Sequence, residues 1–141
     1  MSLLVVDASV VLKWYFLEPF SDEAVRILGK GFEITVPDVL HTQIGTVLWK
    51  RMKSGELKRE DAQRIASNVR RLPLVTVDTS ELAPAALEIA TVTARTYTES
   101  VYFALAMRHK TPLVTADRRW YTLLSTGPMR PFLRWVGDVK P

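Results

Sequence analysis

The chain has 141 residues, 48% hydrophobic and 24% charged, the make-up of one globular domain long enough to enclose a single core. It has no cysteine, which excludes disulfide frameworks, thiolate metal sites and cysteine nucleophiles and fits a reducing cytoplasm. A net charge of +4 is a mild bias compatible with a polyanionic partner, no apolar run approaches the ~18 residues of a membrane span, and the N-terminal MSLLVVDASVV lacks the basic leader of a signal peptide.

In chain order, short apolar runs alternate with helical patterns, without internal repeat, low-complexity tract or long linker. Leu3 to Val6 (LLVV) predicts a strand buried on both faces, because nothing in it alternates. Ser21 to Gly29 predicts a helix with Ser21 as N-cap and Gly29 as its stop. Phe32 to Val36 predicts a second strand, closed by Pro37, and Asp38 opens a helix that runs to about Lys53. On that helix Leu40, Ile44, Val47 and Leu48 share an apolar side, and Gln43 stands at its edge. Ser54-Gly55 breaks it, and another helix runs from about Lys58 to Arg71. Leu74 to Val77 is a third strand, and Asp78 with Glu81 gives a capping-box start to a helix through about Ala94. A further helix covers roughly Tyr97 to His109. Pro112 to Thr115 is a fourth strand, Asp117 precedes a short helix, and Phe132 to Val136 is a fifth strand at the sheet edge. Strands separated by helices predict one α/β domain over residues 1–141, with a central, mostly parallel sheet of about four to five strands and helices on both faces. In such sheets sites form beyond the carboxyl ends of the strands.

Acidic residues stand at those ends. Asp7 follows the first strand, Asp78 the third, and Asp117 the fourth in the string TAD. Glu99 lies in the first turn of the helix beginning near Thr96, with Tyr102, Phe103 and Ala106 on its own face. A carboxylate on so apolar a face must be paired, hydrogen-bonded or metal-bound. Each acid also has a simpler reading: Asp7 and Asp117 as helix caps, and Glu99 as the fourth residue of a Thr96 capping box. Asp78 is assigned to capping, with Glu81 at hand. Carboxylates gathered at one sheet end repel unless a cation neutralises them, and hard oxygen ligands suit Mg²⁺ or Mn²⁺ at a phosphodiester. Thr115, two residues before Asp117, is either a hydrogen-bond donor to phosphate or acid, or an ordinary β-branched strand residue.

His41 and His109 lie on different helices without metal-type spacing and read as surface residues. There is no Gly-rich phosphate loop or dinucleotide fingerprint. The pair Arg118-Arg119 adjoins Asp117, either as a solvated helix start or as a contact to an RNA backbone. Trp14, Trp49, Trp120 and Trp135 show no interleaving with basic residues and read as core or interface. A remote alternative is a phospho-acceptor receiver domain, with Asp78 as acceptor, Thr115 as switch residue and Lys140 as the late lysine. Against it, Asp7 is followed by Ala8 where such domains carry paired acids.

Four motifs in order, carried by three segments that span nearly the whole chain, resemble PIN-domain proteins of the VapC type, the toxin ribonucleases of toxin–antitoxin pairs. VVDASVVLKWYFLEP resembles the family's opening, with Asp7 at its first metal-binding acid. PDVLHTQIGTVLWKRMKSGEL resembles its second region, and TYTESVYFALAMRHKTPLVTADRRW its third and fourth acid regions. Two positions depart from the pattern: Gln43 stands where the family presents glutamate, and Glu99 where it usually has aspartate. The resemblance implies a single PIN-like domain acting as a Mg²⁺- or Mn²⁺-dependent endoribonuclease. Asp7, Glu99 and Asp117 would hold the metal, and Gln43 would fill the fourth position as neutral ligand or orienter. It further implies a homodimer and a small VapB-like antitoxin, with Trp14, Tyr15 and Phe16 belonging to an interface or to the core. The alternative that Gln43 raises is a degenerate PIN domain that binds RNA or a protein without cutting.

Overall fold

Val5 and Val6 are fully buried and Leu4 nearly so, which only a strand covered on both faces permits. They belong to β1 (Ser2–Val6), the middle strand of a five-stranded sheet in the computed structural model, which describes residues 2–29 and 31–140. The other strands are β2 (Phe32–Pro37), β3 (Leu74–Val77), β4 (Leu113–Thr115) and β5 (Leu133–Trp135). Their order is β3-β2-β1-β4-β5, and every pairing is parallel. The chain therefore builds outward from β1 in one direction, then returns to add β4 and β5 on the other side. The point of reversal lies between β1 and β4, where a crevice opens at the carboxyl end of such sheets.

Among the described residues seven α-helices flank the sheet: α1 (Ala8–Lys13), α2 (Ser21–Leu28), α3 (Val39–Lys53), α4 (Arg59–Arg71), α5 (Thr79–Thr93), α6 (Tyr97–Arg108) and α7 (Arg118–Leu124). Helix α6 packs on β1, β2 and β4 and carries α5 against its flank. Its residues from Ser100 to Ala106 are all buried, so it is an interior helix with no polar stripe. Helix α1 packs on β4 and also meets α2 and α3, while α3 pairs with α4 and α7 lies on β5. Leu40, Ile44 and Leu48 form the buried side of α3, with Val47 half-buried beside them.

Several local expectations change. Helix α1 is not marked by any apolar period, because a six-residue stretch with adjacent valines looks like continued strand; Asp7 is its N-cap. Ser21 is not the N-cap of α2. That position falls to Phe20 in a left-handed conformation (φ 71°), and the Ser21 hydroxyl ties the preceding turn, donating to Phe16 O and accepting from Glu18 N–H. Asp38 precedes α3 without capping it. Its carboxylate instead accepts from the Thr79 backbone N–H (2.9 Å) and hydroxyl (2.5 Å), clasping the start of α5. Asp78 caps α5 through Ser80 N–H, while Glu81 turns toward Arg108 rather than back to its own cap. Trp49 is 57% exposed and so lies outside the core. Trp14, Tyr15 and Phe16 are half-buried against the core: Trp14 Nε1 donates to Ala24 O, Tyr15 bonds Asn68, and the Arg51 guanidinium lies over Phe16.

Candidate active site

The crevice beside β1 and β4 is lined by Asp7, Ala8, Ser9, Gln43, Glu99, Tyr102, Asp117 and Trp120, and it encloses about 230 Å³. Four elements deliver the polar groups. Asp7 leaves the end of β1 and caps α1; Asp117 leaves the end of β4 and caps α7 through Trp120 N–H (3.0 Å). Gln43 comes from α3 and Glu99 from the first turn of α6. Each aspartate both caps a helix and lines the cleft.

Asp7 is fixed from several sides. Its backbone N–H donates to Val114 O (3.2 Å), which locks the turn to β4. Ser9 Oγ donates to Asp7 Oδ1 (2.5 Å), and Val10 N–H reaches the same oxygen (3.3 Å). Ser9 Oγ also accepts from Ala116 N–H (2.9 Å) and lies 3.3 Å from Thr115 Oγ1. Thr115, fully buried, accepts from Asp117 N–H (3.2 Å). Ser9 and Thr115 thus form a hydroxyl bridge between the two aspartates. Burial pushes the Asp7 carboxyl up to about 6, against the pull of the Ser9 and Thr115 hydroxyls and the Val10 N–H; the nearby Asp117 charge pushes the same way as burial.

Glu99 completes only half of a capping box. Thr96 Oγ1 accepts from Glu99 N–H (3.1 Å), but Glu99 Oε2 is sealed from solvent with no partner among the described residues. An acceptor left in that state costs about 1–3 kcal/mol. One turn along the same helix, the buried Tyr102 hydroxyl donates to Gln43 Oε1 (2.5 Å). Burial, with Asp7 close by, holds the Tyr102 phenol well above its usual range.

The sequence-predicted residues Asp7, Gln43, Glu99 and Asp117 line one cleft, and Thr115 lies directly beneath it. Ser9, Tyr102 and Trp120 were not signalled by the sequence: the latter two sit in apolar helical surroundings, and Ser9 acts across 106 residues. Arg118 and Arg119 are both exposed, but Arg118 is anchored, its guanidinium 3.9 Å from the Trp135 ring centroid and 5.5 Å from that of Phe20. This pairing of a basic residue with a tryptophan is hidden in the sequence because the partners are far apart along it. The receiver-type arrangement does not occur. Asp78 follows β3 and Thr115 ends β4, with β2 and β1 between them.

All donors facing the cleft are hard oxygens apart from the Gln43 amide and the indole of Trp120, and one of the oxygens, Glu99 Oε2, is an unsatisfied buried acceptor. That set fits Mg²⁺ or Mn²⁺, ions that keep several waters and need few protein ligands. Among the described residues no three acidic or histidine side chains close into a ready-made cage. Asp7, Glu99 and Asp117 are the residues that would hold such an ion.

Ribonuclease VapC3 of Pyrobaculum aerophilum is 27% identical over 118 residues, which cover 82% of this chain and 90% of that protein. The crystal structure of PAE2754 from the same organism superposes with a TM-score of 0.62 at 20% identity, covering 86% of this chain and 78% of the other. VapBC2 from Rickettsia felis, solved with a DNA fragment from its promoter, gives a TM-score of 0.63 at 14% identity over 94% of this chain and 96% of the other. At such identities the two solved structures speak for the fold. The model of the PIN domain family matches residues 4–123, from β1 through the body of α7 and so across every residue lining the cleft, and the chain belongs to the PIN domain family.

Proposed function

We propose that the chain is a divalent-metal-dependent endoribonuclease of the VapC kind, the toxin half of a toxin–antitoxin pair. The observation that carries this reading is the unpaired, buried Glu99 Oε2, in a cleft shared with Asp7 and Asp117 at the reversal point of the sheet. The named relative, a ribonuclease, supports the substrate class. Mg²⁺ or Mn²⁺, when bound, supplies an activated water and neutralises charge developing on the phosphodiester. Asp7, Glu99 and Asp117 hold that ion, while Ser9 and Thr115 keep the two aspartates in register. Arg118 and Arg119 receive the RNA backbone at the rim, with Arg118 pre-oriented by its aromatic stack.

The partners proposed are a small VapB-like antitoxin that covers the acidic cleft and a second copy of the chain. The complex found for the Rickettsia protein supports the first. Exposed Leu87 and Val92 on α5 support the second, and sedimentation of the purified chain checks it. No helix is long and apolar enough to cross a membrane among the described residues, and the proposed place of action is the cytoplasm.

A second reading, a PIN domain that binds without cutting, is favoured by Gln43, whose amide oxygen is already bonded to Tyr102. One experiment separates the two. RNA is incubated with the wild-type chain, with Asp117→Asn and with Gln43→Glu, each in Mn²⁺ and in chelator. Cleavage by the wild type that needs Mn²⁺ and falls at least about a hundredfold in Asp117→Asn supports the ribonuclease. An inert wild type beside an active Gln43→Glu supports the degenerate reading.

A further inference from the structure

The two ends of the Gln43 amide meet different surroundings. Oε1 lies 2.5 Å from the Tyr102 hydroxyl, a separation that belongs to O–H···O and is too short for N–H···O. Tyr102 is 3% exposed and Gln43 is the hydrogen-bond partner of its hydroxyl among the described residues. Nε2, by contrast, meets no acceptor among the described residues, yet it is not one of the polar atoms sealed from solvent. It is therefore left in contact with solvent, on a side chain that lines the cleft. The oxygen, the end suited to a cation, already accepts from Tyr102, and the amide nitrogen is left as a free donor among the described residues.

The rest of the lining makes a donor useful there. Asp7, Glu99 and Asp117 bring carboxylates to a cleft that would receive a polyanion. The indole of Trp120 is the other uncharged side-chain N–H in the lining, and its nitrogen is buried without a partner among the described residues. A glutamate at position 43 would place one more negative charge beside the phosphate, whereas the amide removes that repulsion and offers two N–H groups.

We infer that Gln43 is a substrate-contacting residue, its Nε2 donating to a non-bridging phosphate oxygen of the RNA strand, and not a metal ligand, with Tyr102 as the residue that positions it. This rests on the ribonuclease reading and assigns the part Gln43 plays within it.

The test separates binding of RNA from binding of metal. Fluorescence anisotropy of a short labelled oligouridylate in chelator measures the first, and calorimetric titration with Mn²⁺ in the absence of RNA measures the second. Thermal melts confirm that each variant is folded. Gln43→Ala is expected to weaken RNA binding severalfold and leave Mn²⁺ affinity unchanged. Gln43→Glu is expected to weaken RNA binding about tenfold and to tighten Mn²⁺. Tyr102→Phe, which frees the amide, should weaken RNA binding less than Gln43→Ala, again without touching Mn²⁺. Loss of Mn²⁺ affinity in Gln43→Ala, or wild-type RNA binding in both Gln43 variants, overturns the assignment. If the wild type cuts RNA while the Gln43 variants bind it unchanged, the assignment alone fails. If the wild type neither binds the oligonucleotide nor cuts RNA with Mn²⁺, the ribonuclease reading fails and takes the assignment with it.

Discussion

Asp7 concentrates the conflict between stability and chemistry in one carboxyl group. Burial raises it to about 6, so the folded chain holds that proton more tightly than the unfolded chain does. The stabilisation is fully present below about pH 4, the unfolded value, and is lost as pH rises through about 6. Asp7→Asn keeps an acceptor for Ser9 and Val10 but never ionises. Part of Asp7 opens on the cleft, where water screens the charge, so the gain expected is on the order of 1–2 kcal/mol at pH 8 and close to none at pH 4. Urea unfolding of both proteins in chelator at the two pH values measures it. An Asp7→Asn variant no more stable than wild type at pH 8 would sink the argument. The acids themselves were legible in the sequence, since a carboxylate directly after a buried strand has few reasons to be there. Ser9 was not, because its role depends on Ala116 and Thr115, brought beside it only by strand pairing. Nor were Tyr102 and Trp120, whose ring surfaces satisfy an apolar pattern while one polar atom of each carries the information.

At the scale of elements, the clasp between Asp38 and Thr79 joins the turns that enter α3 and α5. Val39 N–H also donates to Thr79 Oγ1 (3.2 Å), and Asp38 N–H to Val77 O (2.8 Å). The Thr79 hydroxyl and then its N–H hold the Asp38 carboxyl below the usual carboxylate range. Its contribution is therefore present above about pH 4 and is lost as pH falls through the lowered folded value. Because solvent screens this exposed carboxylate, Asp38→Ala is expected to cost only about 1 kcal/mol at neutral pH, and less in strong acid, as read by urea midpoints. At the other sheet edge, Arg118 is stacked while Arg119 makes no such stack among the described residues, so on the ribonuclease reading the two arginines would differ in what they lose on binding RNA. Arg118→Ala should weaken RNA binding more than Arg119→Ala, each lowering the salt dependence by roughly one phosphate contact. Equal losses would show that the stack contributes nothing. Helices with a clear start and stop were readable from the chain, whereas α1 was not. Six residues with adjacent valines carry no period, and contact with β4 decides their conformation.

For the molecule as a whole, alternation of strands with helices was enough to foretell a parallel sheet, and the completed order β3-β2-β1-β4-β5 explains why the acids meet. Strand order is not written in any local pattern. It follows from which buried faces α6 can cover together, those of β1, β2 and β4. The same order governs when the cleft comes into being. Ribosomes deliver Asp7 well before the neighbour that β1 needs on its second side, β4, as the Ser9–Thr115 separation of 106 positions records. Closing so long a loop makes this pairing a late event in folding. On the ribonuclease reading, a nascent chain is thus harmless until β4 emerges, and activity switches on only when β4 and β5 dock. Chains arrested before Leu113 should leave RNA intact in Mn²⁺, while the released chain that carries β4 and β5 should cut; cleavage by the arrested set would contradict this timing.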